Sequence, residues 1–102
     1  MAKQQSKQSI KGIYTIKCKD NGKVYVGKAT DIYQRWRSHQ GLLNKDKHQN
    51  KDLQADWNKY GSDRFEFAIL HRWQKGEDLS VTEEIWIGHL QPAYNIIRGK
   101  RA

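Results

Sequence analysis

Tyr14 and Tyr25, an arginine and a histidine four apart at Arg35 and His39, and a glutamate at Glu83 are the residues whose types and spacing suit chemistry. A phenol can orient water or, once ionised, accept a proton. Its free pKa of about 10 makes it a poor base at neutral pH unless a cation or a hydrogen-bond partner favours the phenolate. Arg35 can hold a phosphate bidentately, and His39 can relay or accept a proton. Glu83 can anchor a hard divalent cation by one carboxylate, leaving the other positions to water and phosphate oxygens. Together such groups could place a water, accept its proton and stabilise negative charge that develops as a bond breaks.

The elements that must position them read clearly. Ile13–Ile16 and Val24–Val26 are branched and aromatic, and Asp20-Asn21-Gly22 between them is the strongest short hairpin signal. A loop with an even number of residues puts Tyr14, Ile16, Cys18 and Tyr25 on one face of the ribbon. Half-buried strand tyrosines would follow from that geometry with no chemistry at all. Thr30 or Asp31 then caps a helix expected to run to about Gln40 and stop at Gly41, with Ile32 and Trp36 as its buried stripe, Arg35 and His39 along its edge, and Arg37 in solvent. Residues 42–50 read as a Lys-rich linker. A second helix spans about Lys51 to Tyr60, buried through Leu53, Trp57 and Tyr60 and ended by Gly61. A strand follows over about Arg64 to His71, alternating Phe65, Phe67 and Ile69 with Glu66, Ala68 and Leu70. A third helix spans about Leu79 to Leu90, before Pro92. This order, ββααβα, predicts an α+β fold with a small antiparallel sheet against helices.

Glu83 is the carboxylate in an unexpected place. At about 100° per residue it falls among Leu79, Trp86, Ile87 and Leu90, whereas Glu84 projects towards solvent. Buried carboxylates are normally paired or bound to metal. Helix geometry leaves two readings open, a rim salt bridge to Arg35 or a lysine, and a metal ligand.

Composition narrows the partner. Nineteen Lys and Arg against 11 acids give a formal charge of +8 over 102 residues, which points to a polyanion, nucleic acid first. No long apolar run or lipidation signal favours a membrane, and the polar N-terminus has no secretory h-region, so an intracellular protein is expected. The length suits one domain over residues 10–98, with a flexible basic tail over 1–9 and a basic end over 99–102. Cys18 reads as a small strand hydrophobe, and His71 and His89 carry no motif context.

Gly12-Ile13-Tyr14, then Tyr25-Val26-Gly27, then Arg35 and His39, with Glu83 three residues before Trp86-Ile87 and Asn95 downstream, resembles the GIY-YIG nuclease family over about Lys11 to Ile97. The resemblance implies the GIY-YIG fold, a three-stranded antiparallel sheet flanked by three helices, and a divalent-metal-dependent endonuclease acting on double-stranded DNA with Mg²⁺ or Mn²⁺ and no small-molecule cofactor. It implies Tyr14, Tyr25, Arg35, His39, Glu83 and Asn95 as catalytic residues. Among them Tyr14 would be the base, Tyr25 would orient water or phosphate, Glu83 would be the metal ligand and Asn95 an orienter. Lys28, Arg35 and the linker His48 are candidate phosphate contacts. Asn95 has a plainer reading as a turn residue bonding its own backbone. A non-catalytic DNA-binding module with the same fold is the alternative.

Overall fold

The structure, a computed structural model, describes residues 9–95; the expected N-terminal tail, apart from Ser9, and the basic C-terminal end lie outside them. Strands β1 (Gly12–Cys18) and β2 (Val24–Ala29) form the expected hairpin. Gly22 takes φ +75°, and the Lys23 amide donates to Asn21 Oδ1 at 3.0 Å, so the turn uses the chemistry that Asn-Gly provides. The register pairs Tyr14 with Gly27 and Ile16 with Tyr25, which places both tyrosines on one face. Strand β3 (Phe65–Arg72), one residue later than expected, pairs antiparallel with the other side of β1, giving the order β2-β1-β3.

Both faces of the sheet are covered. Tyr14, Ile16, Cys18 and Phe65 pack with Ile32 and Leu43 of α1 (Ile32–Asn44) and with Leu53 and Trp57 of α2 (Lys51–Tyr60). The opposite face carries the fully buried Ile13 and Val26, where α3 (Leu79–Leu90) lies across β1 and β2. A bulge at Ile13/Tyr14 pairs Ile13 with His71 and Tyr14 with Ile69, bringing His71 onto the α3 side. There His71 Nε2 donates to Glu77 at 2.9 Å and ties the end of β3 to the entry of α3, a structural role for a histidine without motif context. No helix of the described residues is long and apolar enough to cross a membrane.

Two expectations are corrected. Helix α1 does not stop at Gly41 but continues to Asn44, so only residues 45–50 remain of the linker. A mid-helix glycine costs about 1 kcal/mol against alanine, and burying Leu43 in the core offsets that with about 1.5–3 kcal/mol. On α3 the apolar stripe is shallower than its spacing suggests, because no residue of that helix is fully buried and Leu90 is exposed. Its other apolar positions, Val81 and Ile85, are 51% and 63% exposed.

Gly12 is the tightest point of the sheet, since a Cβ there would strike the His71 carbonyl on β3. Backbone cannot step aside as a side chain can. Gly12→Ala should therefore lower stability by roughly 1–3 kcal/mol, the usual cost of overpacking, seen as a depressed Tm. An unchanged melting curve would show that the two strands can part at no cost.

Candidate active site

Tyr14 stands at the centre of the sheet with its ring over Gly27, where an added Cβ would overlap the phenol. Glycine at position 27 thus supplies room rather than an unusual backbone angle. Through that gap the hydroxyl reaches helix α1, where Tyr14 Oη and His39 Nε2 lie 2.7 Å apart. His39 Nδ1 meets His48 Nε2 at 2.8 Å, and the two imidazoles stack with centroids 5.0 Å apart. Tyr25 packs against both, 6.2 Å from Tyr14 and 5.4 Å from His39 between ring centroids.

His39 was expected on the helix edge and His48 in an exposed linker, but both are buried. His48 is corrected as a free phosphate contact, because its two ring nitrogens face His39 Nδ1 and the Asn50 amide, the latter 3.0 Å away. Burial, then the neighbouring His48 and Arg35, pushes His39 down to about 4. Burial likewise lowers His48. Tyr14 is raised, first by burial and next by Tyr25, while the Arg35 charge works in the opposite direction. Tyr25 is raised for the same leading reason, with a further contribution from the Glu83 carboxylate.

The remaining residues gather at the outer edge of β2. Asn95 accepts the Val26 N–H on Oδ1 at 2.8 Å and donates from Nδ2 to the Val26 carbonyl at 2.9 Å. Both amide atoms are thereby used on a strand edge, not on the residue's own turn. Two residues along the same edge, Arg35 Nη1 donates to the Lys28 carbonyl at 3.4 Å and leaves the exposed guanidinium free for other partners. A cavity of about 620 Å³ opens here, lined by Tyr25, Arg35, His39, His48 and Asn95 among others. Glu83 does not line it. That carboxylate sits on the α3 side, 3.5 Å from Lys28 Nζ, with side-chain exposures of 20% for Glu83 and 45% for Lys28. The rim salt bridge to a lysine is therefore present, and Glu84 is exposed as expected.

As a hard oxygen donor already holding one cation, partly open to solvent, Glu83 fits a divalent ion. No group of three His, Cys, Asp or Glu that could hold a metal ion exists among the described residues.

Sequence reasoning missed Asn50 and Gln54. Asn50 caps α2 by accepting the Leu53 N–H at 3.1 Å and donates to the Tyr94 carbonyl at 2.7 Å, beside Asn95. Gln54, buried on α2, accepts the His48 N–H at 2.9 Å and donates to the Leu43 carbonyl at 3.0 Å. An N-cap asparagine before Lys51-Asp52 was a readable signal for the first.

The chain is thus an α+β domain of order ββααβα in which a buried tyrosine and histidine and a half-buried second tyrosine meet beside an arginine-lined cavity. Residues 10–95 match the GIY-YIG catalytic domain, and the chain belongs to that family. It is 41% identical over 85 residues to intron-associated endonuclease 1 of Enterobacteria phage T4, covering 82% of this chain and 34% of that protein. The chain thus spans about a third of the length of that curated relative. Among solved structures it resembles the catalytic domain of homing endonuclease I-TevI, with TM-score 0.72 and 39% identity, covering 79% of this chain and 88% of that one. A point mutant of that domain, described as from intron endonuclease I-TevI, aligns with TM-score 0.77 and 36% identity over 91% of this chain and 99% of the other.

Two outcomes follow from this geometry. Gly27→Ala should displace the Tyr14 ring and cut strand cleavage at least tenfold, about the worth of one misplaced hydrogen bond; full activity in a folded variant would sink the packing account. Because His39 protonates near 4 when folded and near 6.5 when unfolded, its neutral form stabilises the fold fully above the higher value, and that contribution is lost as pH falls from 6.5 towards 4. Thermal melts across that window should show a steeper decline for the parent than for His39→Gln. Parallel curves would mean that folding leaves the imidazole unperturbed.

Proposed function

We propose that this domain is a divalent-metal-dependent endonuclease that hydrolyses phosphodiester bonds of double-stranded DNA, in an intracellular setting. The observation that carries the reading is the 2.7 Å contact between Tyr14 Oη and His39 Nε2 beside the cavity that Tyr25 and Arg35 line. The charge of +8 supports binding dominated by phosphate contacts.

Arg35 holds the phosphate and meets charge developing on its oxygens, for which its exposed guanidinium is suited. Tyr14 accepts the proton of the attacking water, its phenolate supported by His39 and by the Arg35 charge against the opposing effect of burial. Tyr25, at the cavity wall, orients water or phosphate. Asn95 keeps the β2 edge in place through Val26. Glu83 holds the ion, and Lys28, released from Glu83, turns its ammonium to phosphate. Bound at Glu83, Mg²⁺ or Mn²⁺ would supply positive charge to the phosphate and the leaving 3′ oxygen.

Supercoiled plasmid incubated with the purified chain should be nicked with Mg²⁺ and left intact with EDTA. Glu83→Ala should reduce nicking by orders of magnitude while moving Tm little, since a half-exposed ion pair is worth about 0–1 kcal/mol. Arg35→Ala should abolish most cleavage and leave DNA binding nearly intact. DNA binding with no cleavage under any divalent ion would mark a binding module. An active, destabilised Glu83→Ala protein would end the metal assignment.

A further inference from the structure

Asn50, His48, His39 and Tyr14 form one row of hydrogen bonds, buried from His48 inwards, whose direction is decided at its Asn50 end. A neutral imidazole has one donor nitrogen and one acceptor nitrogen. The Asn50 backbone amide can only donate, and it lies 3.0 Å from His48 Nδ1, which must therefore be the acceptor. The His48 hydrogen is then on Nε2, which donates to His39 Nδ1 at 2.8 Å. That leaves the His39 hydrogen on Nε2, donating to Tyr14 Oη at 2.7 Å. Tyr14 keeps its own hydroxyl hydrogen for the side on which Tyr25 and Arg35 lie.

The row cannot be reversed. If Tyr14 donated to His39 Nε2, the hydrogens of both imidazoles would move to Nδ1, and the His48 Nδ1–H would confront the Asn50 N–H. Adding a proton to either imidazole creates the same collision between donors. The groups facing His39 are Tyr14 and Tyr25 from the sheet, Arg35 on its own helix and His48 from the connecting segment, none of them an anion at neutral pH that would favour an imidazolium. The amide itself is clamped: Asn50 caps α2 and holds the Tyr94 carbonyl, while Gln54 fixes the His48 backbone to Leu43.

We propose that the Asn50 amide is a positioning group for the nuclease reaction, fixing His39 as a neutral hydrogen-bond donor to Tyr14. His39 then serves by stabilising the Tyr14 phenolate and does not take its proton, which passes instead to a water or a phosphate oxygen on the side where Tyr25 and Arg35 lie. The mechanistic half of this inference rests on the nuclease reading above; the tautomer assignment does not. The lowered proton affinity of both histidines agrees with it.

The test begins with the parent chain, uniformly labelled with ¹⁵N-histidine, in two-bond ¹H–¹⁵N correlation spectra, with His39→Gln and His48→Gln used only to assign the peaks. Both rings should show hydrogen on Nε2 and a bare Nδ1, and the pattern should persist on acidification past the ordinary midpoint of about 6.5. Hydrogen on Nδ1 of either ring would overturn the proposal. Asn50→Pro and Asn50→Ala both delete the cap, but only proline deletes the amide hydrogen, and the local φ of −83° is close to what its ring imposes. The alanine variant should keep the Nε2 tautomers. The proline variant should show mixed tautomers, cleave about tenfold more slowly than the alanine variant, and acquire an acid-side loss of rate through the histidine range. Identical tautomers and pH profiles in the two variants would remove Asn50 from the role. Should the proline variant not fold, the parent spectrum still decides the assignment, and it does so even for a chain that cuts nothing.

Discussion

The ring of Tyr14 lies over the bare Cα of Gly27, and the rest of the site is arranged around that contact. Any side chain at position 27 would occupy the path by which the phenol leaves the sheet and meets His39. The paired triplets Gly12-Ile13-Tyr14 and Tyr25-Val26-Gly27 are therefore two halves of one packing arrangement. One glycine lets β3 come close to β1, and the other lets a tyrosine cross beneath β2. The isoleucine and valine between them anchor the opposite face, where both are fully buried under α3.

That crossing divides the chemistry into two environments. On the α1 side are two phenols and two imidazoles, neutral and withdrawn from water, whose burial is the leading cause that disfavours charge on each of them. On the α3 side Lys28 and Glu83 are charged and partly in water. Arg35 lies between them at the strand edge, tethered to the Lys28 carbonyl. A phosphate laid along β2 would thus meet hydrogen-bonding groups held at fixed distances on one flank and mobile charge on the other, a combination suited to a polyanion that must be gripped and then released.

What could be read from the sequence follows the distance over which each feature is determined. The hairpin, the start of α1 and the end of α2 were legible because Asn21-Gly22, Asp31 and Gly61 act within a few residues of themselves, and the body of α2 because Leu53 and Trp57 are spaced as one helix face. The last turn of α1 was not, since Leu43 is held by core partners that its own neighbours do not reveal. Helical spacing placed Glu83 on the correct helix but overstated its burial, because α3 is apolar on more than one side and spends part of that surface on solvent. The roles of His48 and Asn95 depend on partners brought together by the fold, and spacing alone does not show them. The resemblance named both residues without showing what they touch.

The pairing of Asn95 with Val26 joins residues 69 positions apart, and it covers β2 at its outer edge beside the Arg35 contact with Lys28. During synthesis the strand is made early and its cover arrives almost a whole domain later. Until then the edge presents a row of unpaired amides and carbonyls to other nascent chains, the usual template for strand exchange between copies. The same delay means that the cleft cannot be complete before the sheet, α2 and the final turn have all joined. A partly synthesised chain is thus exposed to aggregation before it acquires a finished cutting site.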